Sequence, residues 1–198
     1  MTQTTTAREL NRCLQEQSRD NFIHPNQRLA PQIYEVVDRI HLMTYDMITS
    51  NGSGSHHATL DNAKRAVDAL VASSCPKEKI LLGIPAYARH FDNPGMVKTF
   101  SEIVDSVADH LGDNGSLVEE MANIGGRYQG YTFDSTVDVQ KKVRYAKEAD
   151  LKGIFFWEMG QDSFRKDYVM SGALLAAAHQ LEASDSISNG GEMVGMEL

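Results

Sequence analysis

Lys79-Ile-Leu-Leu-Gly-Ile-Pro-Ala-Tyr87 decides the fold class. It is a nearly continuous apolar run. A run of this kind suits a strand covered on both faces, as in parallel sheets packed under helices. Asp38-Arg-Ile-His-Leu-Met-Thr-Tyr-Asp46 upstream and Gly153-Ile-Phe-Phe-Trp157 downstream read as strands of the same sheet. Between the first two, Thr59 caps a helix with Ala63, Ala66, Val67, Leu70 and Val71 on one face, ending at Cys75-Pro76 where proline cannot continue it.

After Arg89 the turn Asn93-Pro94-Gly95 precedes a capping box, Thr99-x-x-Glu102, that opens a helix along Ile103, Val104 and Val107. Ser135-x-x-Asp138 opens another with Val139, Val143 and Ala146 on one face, and a last helix is expected over Tyr168–Leu181. Arg8–Gln17, capped by Thr6, reads as a helix, Asn21–Arg28 as a strand end and loop, and Ile33–Val37 as a short helical turn. Thr49–Ser55 is too rich in Gly and Ser to be anything but a loop. Residues 1–183 form one domain by this reading. The Gly/Ser/acidic segment 184–198, which has no periodicity, is expected to be disordered. Strand and helix alternate, so the architecture is α/β with βα units about a parallel sheet. The strands are too few to close an eight-stranded barrel, which usually needs about 250 residues.

Composition narrows the partners. The 198 residues carry 19 Lys+Arg against 27 Asp+Glu, a net charge of -8, which disfavours non-specific binding to nucleic acid or to an anionic membrane surface. No apolar run approaches the roughly 20 residues of a membrane span. The polar start Met1–Leu10 shows no secretory h-region. Cys13 and Cys75 read as two reduced thiols without metal spacing.

Chemistry in such a fold collects where strands end. The three ends are Met43-Thr-Tyr45-Asp46, Tyr87-Ala-Arg89 and Trp157-Glu158-Met-Gly-Gln161-Asp162. Each sets an aromatic ring beside a charge. That is the pairing a sugar favours: its C–H face stacks on a ring while its hydroxyls bond to charged groups.

The segment Ala30–Asp162 resembles the C-terminal half of a glycoside hydrolase family 18 domain, the chitinase family. Asp38–Asp46 is similar to its sixth barrel strand with a Met-x-Tyr-Asp pattern. Lys79–Arg89 is similar to its seventh, with Ala88 where Gly is typical, and Gly153–Asp162 to its eighth. The resemblance implies an incomplete (β/α)8 TIM barrel, about strands 5–8, with Asn21–Arg28 as a degraded fifth strand.

It further implies a retaining, substrate-assisted glycosidase for chitin or other N-acetylglucosamine glycans, with no cofactor and no metal. Tyr45 would bond the sugar's acetamido group and Asp46 would orient it. Met43 would line the pocket and Trp157 would stack beneath the ring. Tyr87 and Arg89 would meet neighbouring sugar or carboxylate groups.

The family's acid is the Glu of Asp-x-x-Asp-x-Asp-x-Glu, a motif that occurs nowhere in these residues and would fall upstream of Arg8. Strand alternation aims Glu158 away from the sugar, so no catalytic acid is assigned. The expectation is therefore a truncated domain, with a non-catalytic chitin-oligosaccharide binder or an inactive fragment as the alternatives. Its open sheet edges could also support self-association. Relatives are commonly secreted, and nothing here directs export.

Three other features have simpler readings. His56-His57 is read as a solvent loop rather than a metal site, His41 as a satisfied core or rim histidine, and Lys141, Lys142 and Lys147 as the polar side of a helix. Met96, Met121, Met193 and Met196 form no stripe.

Overall fold

In a computed structural model the described residues are 33–47, 55–169 and 172–188. The expected helix over Arg8–Gln17, the strand end at Asn21–Arg28, most of the Gly/Ser loop and the tail from 189 lie outside them. A short helix α1 (Ile33–Val36) leads into β1 (Ile40–Leu42), and α2 (Leu60–Ala72) follows. Next come β2 (Ile80–Pro85) and, much later, β7 (Gly153–Trp157). These three strands form a parallel sheet in the order β1-β2-β7, with Leu42 opposite Leu82, Leu82 opposite Ile154 and Pro85 opposite Trp157.

Capping chemistry starts each helix where the sequence places it. The Thr59 hydroxyl accepts from Asn62 N at 3.2 Å to open α2. Two full capping boxes, Thr99 with Glu102 and Ser135 with Asp138, open α3 (Phe100–Leu111) and α5 (Thr136–Glu148). The buried face of α2 packs Ala63, Val67 and Leu70 onto Ile40, Leu42 and Leu82. The larger core joins Ile84 to α3, to α5 and to α6 (Ala173–Ser188) through Phe100, Val104, Phe133, Val139 and Leu174.

The opposite face of the parallel sheet is covered by no helix among the described residues. It carries His41, Gly83 and Phe155. The His41 ring meets the Phe155 edge at 4.8 Å. At Gly83 a Cβ would sit 2.7 Å from Leu42 O and 2.9 Å from the Tyr45 ring, so only glycine lets those groups approach.

Several expectations change. Lys79–Tyr87 is not one strand: the chain leaves the parallel sheet at Ala86 and starts a second, antiparallel sheet. Its strands are β3 (Tyr87–His90), β4 (Val97–Thr99), β5 (Arg127–Tyr128) and β6 (Tyr131–Thr132), in the order β4-β3-β6-β5. The helix α4 (Leu117–Ile124) lies between β4 and β5 in sequence. Strands of two to four residues are too short to show a period, which is why the sequence reading passed over this sheet.

β7 is half-buried rather than buried, because it is an edge strand of its sheet. His41 is exposed, since alternation turns it away from α2. The last helix starts at Ala173 and continues to Ser188, into the segment expected to be disordered.

Lys142 also departs from expectation. It is 1% exposed and its ammonium contacts the buried Asp134 carboxylate. It stands with Val139, Val143 and Ala146 on the inner stripe of α5, at a spacing that requires burial. Breaking such a pair from one side strands a charge in the core. Lys142→Met is expected to lower unfolding free energy by about 3–5 kcal/mol in urea titrations, and Lys142→Met/Asp134→Leu to recover most of that loss.

Candidate functional site

Where the two sheets meet, three chain segments deliver their side chains to one place. The first is the extension of β1. Thr44 Oγ1 bonds to Gly83 O at 2.8 Å, anchoring it to β2, and the chain then turns at Asp46, whose φ is +63°. Asp tolerates this left-handed conformation better than most residues. The second is β3, in which Tyr87 and Arg89 project to the same side because they are two residues apart. The third is the end of β7, where Trp157 is 54% exposed.

Asp46 is the centre of this cluster. Tyr87 OH donates to its Oδ1 at 2.7 Å, Arg89 Nε contacts the same oxygen, and Arg89 Nη2 donates to Oδ2 at 2.8 Å. The Arg89 guanidinium also lies 5.6 Å from the Tyr87 ring centroid. Burial pushes the Asp46 carboxyl up, but the hydrogen bonds from Arg89 and Tyr87, with the charge of Arg89, outweigh burial and hold it well below the usual carboxylate range. The same carboxylate, after burial, pushes the Tyr45 and Tyr87 phenols up, so both stay protonated. Arg89 is stabilised as a cation chiefly by its hydrogen bonds to Asp46.

Met43, Tyr45, Asp46, Tyr87, Arg89 and Trp157, the six residues singled out from the sequence, line one open cleft of about 330 Å³ together with Val97 and Gln161. Their roles within it differ. The polar ends of Tyr87 and Arg89 are engaged by Asp46. Tyr45 is buried, and its hydroxyl makes no hydrogen bond with the described residues. A carboxylate offers about four lone-pair positions, and three donors occupy Asp46. One acceptor position therefore remains, on Oδ2.

Sequence reasoning gave no role to Val97, which sits on a short strand without a motif, or to Gln161, which lies within the third strand end. It also misread His56-His57, which is not a solvent loop. His57 is fully buried, its ring is stacked on His56 at 5.6 Å and 8°, and it lies 5.3 Å from the Tyr87 ring. His56 Nε2 bonds to Phe133 O at 2.8 Å and stands 4.0 Å from Asp134. Burial, the largest influence on it, lowers the His56 pKa.

Glu158 lies past the end of β7 and is exposed, so strand alternation does not set its direction. Asp162 is a structural group: its carboxylate accepts from the backbone N–H of Leu174 and Leu175 at 3.1 Å and so caps α6. Among the described residues no three of His, Cys, Asp or Glu stand close enough to hold a metal ion.

Several known proteins are similar to this chain. Endochitinase 1 of Metarhizium anisopliae is 30% identical over 158 residues, covering 65% of this chain and 36% of that protein. A class V chitinase of Lotus japonicus is 27% identical over 151 residues, covering 64% and 37%. The chain thus spans about two fifths of the length of these curated relatives. Among solved structures, the GH18 chitinase ChiB of Flavobacterium johnsoniae superposes with a TM-score of 0.59 at 24% identity, covering 83% of this chain and 48% of that one. A class V chitinase mutant from Nicotiana tobaccum in complex with NAG4 gives 0.53 at 24% identity, covering 73% and 48%. The shared fold is the TIM barrel of those enzymes, represented here by an incomplete α/β portion with no closed barrel. Residues 6–162 match the profile of glycosyl hydrolases family 18, and the chain belongs to that family as a partial, chitinase-like domain.

Proposed function

We propose that the cleft binds N-acetylglucosamine oligomers of the chitin type, with one sugar on the Trp157 indole and its acetamido group directed at Tyr45 and Asp46. The observation that carries this reading is one cleft that pairs an exposed indole with a buried phenol and a carboxylate position, neither of which has a partner among the described residues. An acetamido group supplies what the two polar groups lack: a carbonyl oxygen for the Tyr45 hydroxyl and an N–H for Asp46 Oδ2. The indole supplies a flat apolar surface for the C–H face of the ring. The chitinases among the relatives support this reading, as do the solved structures that hold NAG4 or (GlcNAc)3.

The chemistry implied by the family is retaining hydrolysis, in which the substrate's own N-acetyl oxygen attacks the anomeric carbon. That step needs the acetamido group held in place, and Tyr45 and Asp46 are the residues to hold it. It also needs a proton donor to the leaving oxygen, a contribution typically of about 10²–10⁴-fold. The acid-bearing motif is not among the 198 residues. We therefore assign this chain substrate recognition and orientation, and assign proton donation to no residue in it.

Trp157 is the chain's one tryptophan, so its fluorescence reports on the cleft directly. Chito-oligosaccharides are expected to change that emission and to release heat in calorimetry, without cleavage. Neither signal at millimolar ligand would remove the proposal. Trp157→Ala is expected to weaken binding about tenfold while shifting stability by no more than about 0.5 kcal/mol, since the indole is half exposed.

Acid should act through Asp46. Its pKa is depressed in the folded chain, so its contribution to stability is complete above the unfolded value near 4 and is lost as pH falls below it. The gap in urea midpoint between the parent and Asp46→Asn is expected to narrow as pH drops from 7 to about 3. A gap that stays constant over that range would contradict the assignment.

A further inference from the structure

The structure assigns His57 a positioning role: its Nδ1 accepts the Asp46 backbone N–H and so holds that residue in the left-handed turn that presents its carboxylate to Arg89 and Tyr87. The ring lies against both ends of Asp46. Nδ1 is 3.4 Å from the Asp46 amide nitrogen and 3.6 Å from its Oδ1. One nitrogen cannot serve both, because it accepts when bare and donates when protonated. Oδ1 already takes Tyr87 OH and Arg89 Nε, whereas the amide N–H has no other acceptor among the described residues. The amide N–H is directed at Nδ1 within hydrogen-bond distance, whereas the 3.6 Å to Oδ1 is outside it. The bare Nδ1 therefore faces the amide, and the proton sits on Nε2, which is buried and has no partner among the described residues.

The ring is fixed from every side. Its own backbone N–H bonds to Thr132 Oγ1 at 3.4 Å, and Thr132 Oγ1 bonds to Arg89 O at 3.4 Å, so β6 holds both His57 and the strand bearing Arg89. Met47 N bonds to His57 O at 2.9 Å, pairing the residue after Asp46 with the same histidine. His56 and Tyr87 cover the two sides of the ring. His57 thus ties the β1 extension to the antiparallel sheet at the point where Asp46 must turn. Asp46 touches the sugar only under the function proposed above, so the effect on ligand rests on that reading, while the effect on Asp46 does not.

The test compares His57→Ala with His57→Asn, whose side-chain oxygen can replace Nδ1 as an acceptor. Amide hydrogen exchange by NMR reads the Asp46 N–H directly, and calorimetry with chito-oligosaccharides reads the cleft. In His57→Ala the Asp46 amide is expected to exchange about tenfold faster, and oligosaccharide affinity to fall about tenfold, while Leu82 in the parallel sheet keeps its protection. In His57→Asn both quantities should stay near the parent values. An Asp46 amide that is unprotected in the parent, or equally slow in His57→Ala, would overturn the assignment. So would equal losses in both variants, or acceleration of Leu82 alongside Asp46, since a ring that only fills space produces that pattern. If the parent binds no oligosaccharide, the ligand reading falls, and the exchange data still decide the role of His57.

Discussion

The bond between Asp46 and the Arg89–Tyr87 pair is the constraint on which the cleft depends. Asp46 follows the first strand of the parallel sheet, and its partners stand on the first strand of the antiparallel sheet. Beside this contact the chain itself passes between the sheets through Ala86, and Thr132 on the antiparallel sheet bonds to both His57 and Arg89. Ion pairs this enclosed gain little net stability, because desolvation cancels much of the attraction. Their value lies in geometry: a two-pronged guanidinium accepts a carboxylate in few orientations. The orientation chosen leaves one position on Oδ2 free beside Tyr45, and the cleft's polarity follows from it.

Behind the cleft, polar groups are buried in sequence. Asp46 is adjacent to His57, His57 stacks on His56, His56 approaches Asp134, and Asp134 meets Lys142. Each charge has an opposite charge or a donor beside it, which allows a polar seam to run through an otherwise apolar core. The seam also bears on the lowered pKa of His56. It is buried, and Lys142 already supplies the positive charge that Asp134 needs.

Much of this was legible in the sequence, for reasons that differ by element. The parallel strands announced themselves as apolar runs, and Thr59, Thr99 and Ser135 marked helix starts through local hydrogen bonds that need no tertiary context. The six cleft residues could be read because strand ends in such folds gather on one rim, and all six line one cleft. The antiparallel sheet could not, since its strands are too short for periodicity and depend on pairing partners far along the chain. His57 was hidden because a Gly/Ser-rich approach makes any following residue look solvated, whereas its burial comes from β6, about 75 positions away. Lys142 offered a signal that was passed over: a lysine three residues after Val139 and next to Val143 lies on the buried stripe, and a charge there implies a buried partner.

The uncovered face of the parallel sheet gives these observations a common origin. A sheet with helices on both sides needs apolar residues on both, and β2 satisfies that with Gly83 under the rings of Tyr45 and Phe155. β1 and β7 do not: His41 and Trp157 are exposed on strands whose neighbours are core residues. Both belong to the side that a closed barrel turns toward its interior and its mouth. The interior of such a barrel is a packed core, whereas its strand ends form the rim on which exposed polar and aromatic groups can stand. The exposed Trp157 and the glycine at position 83 are therefore two consequences of one arrangement. The backbone gives up side-chain volume beside β1 so that the Tyr45 ring can approach the sheet, with Trp157 on the same cleft standing open to solvent.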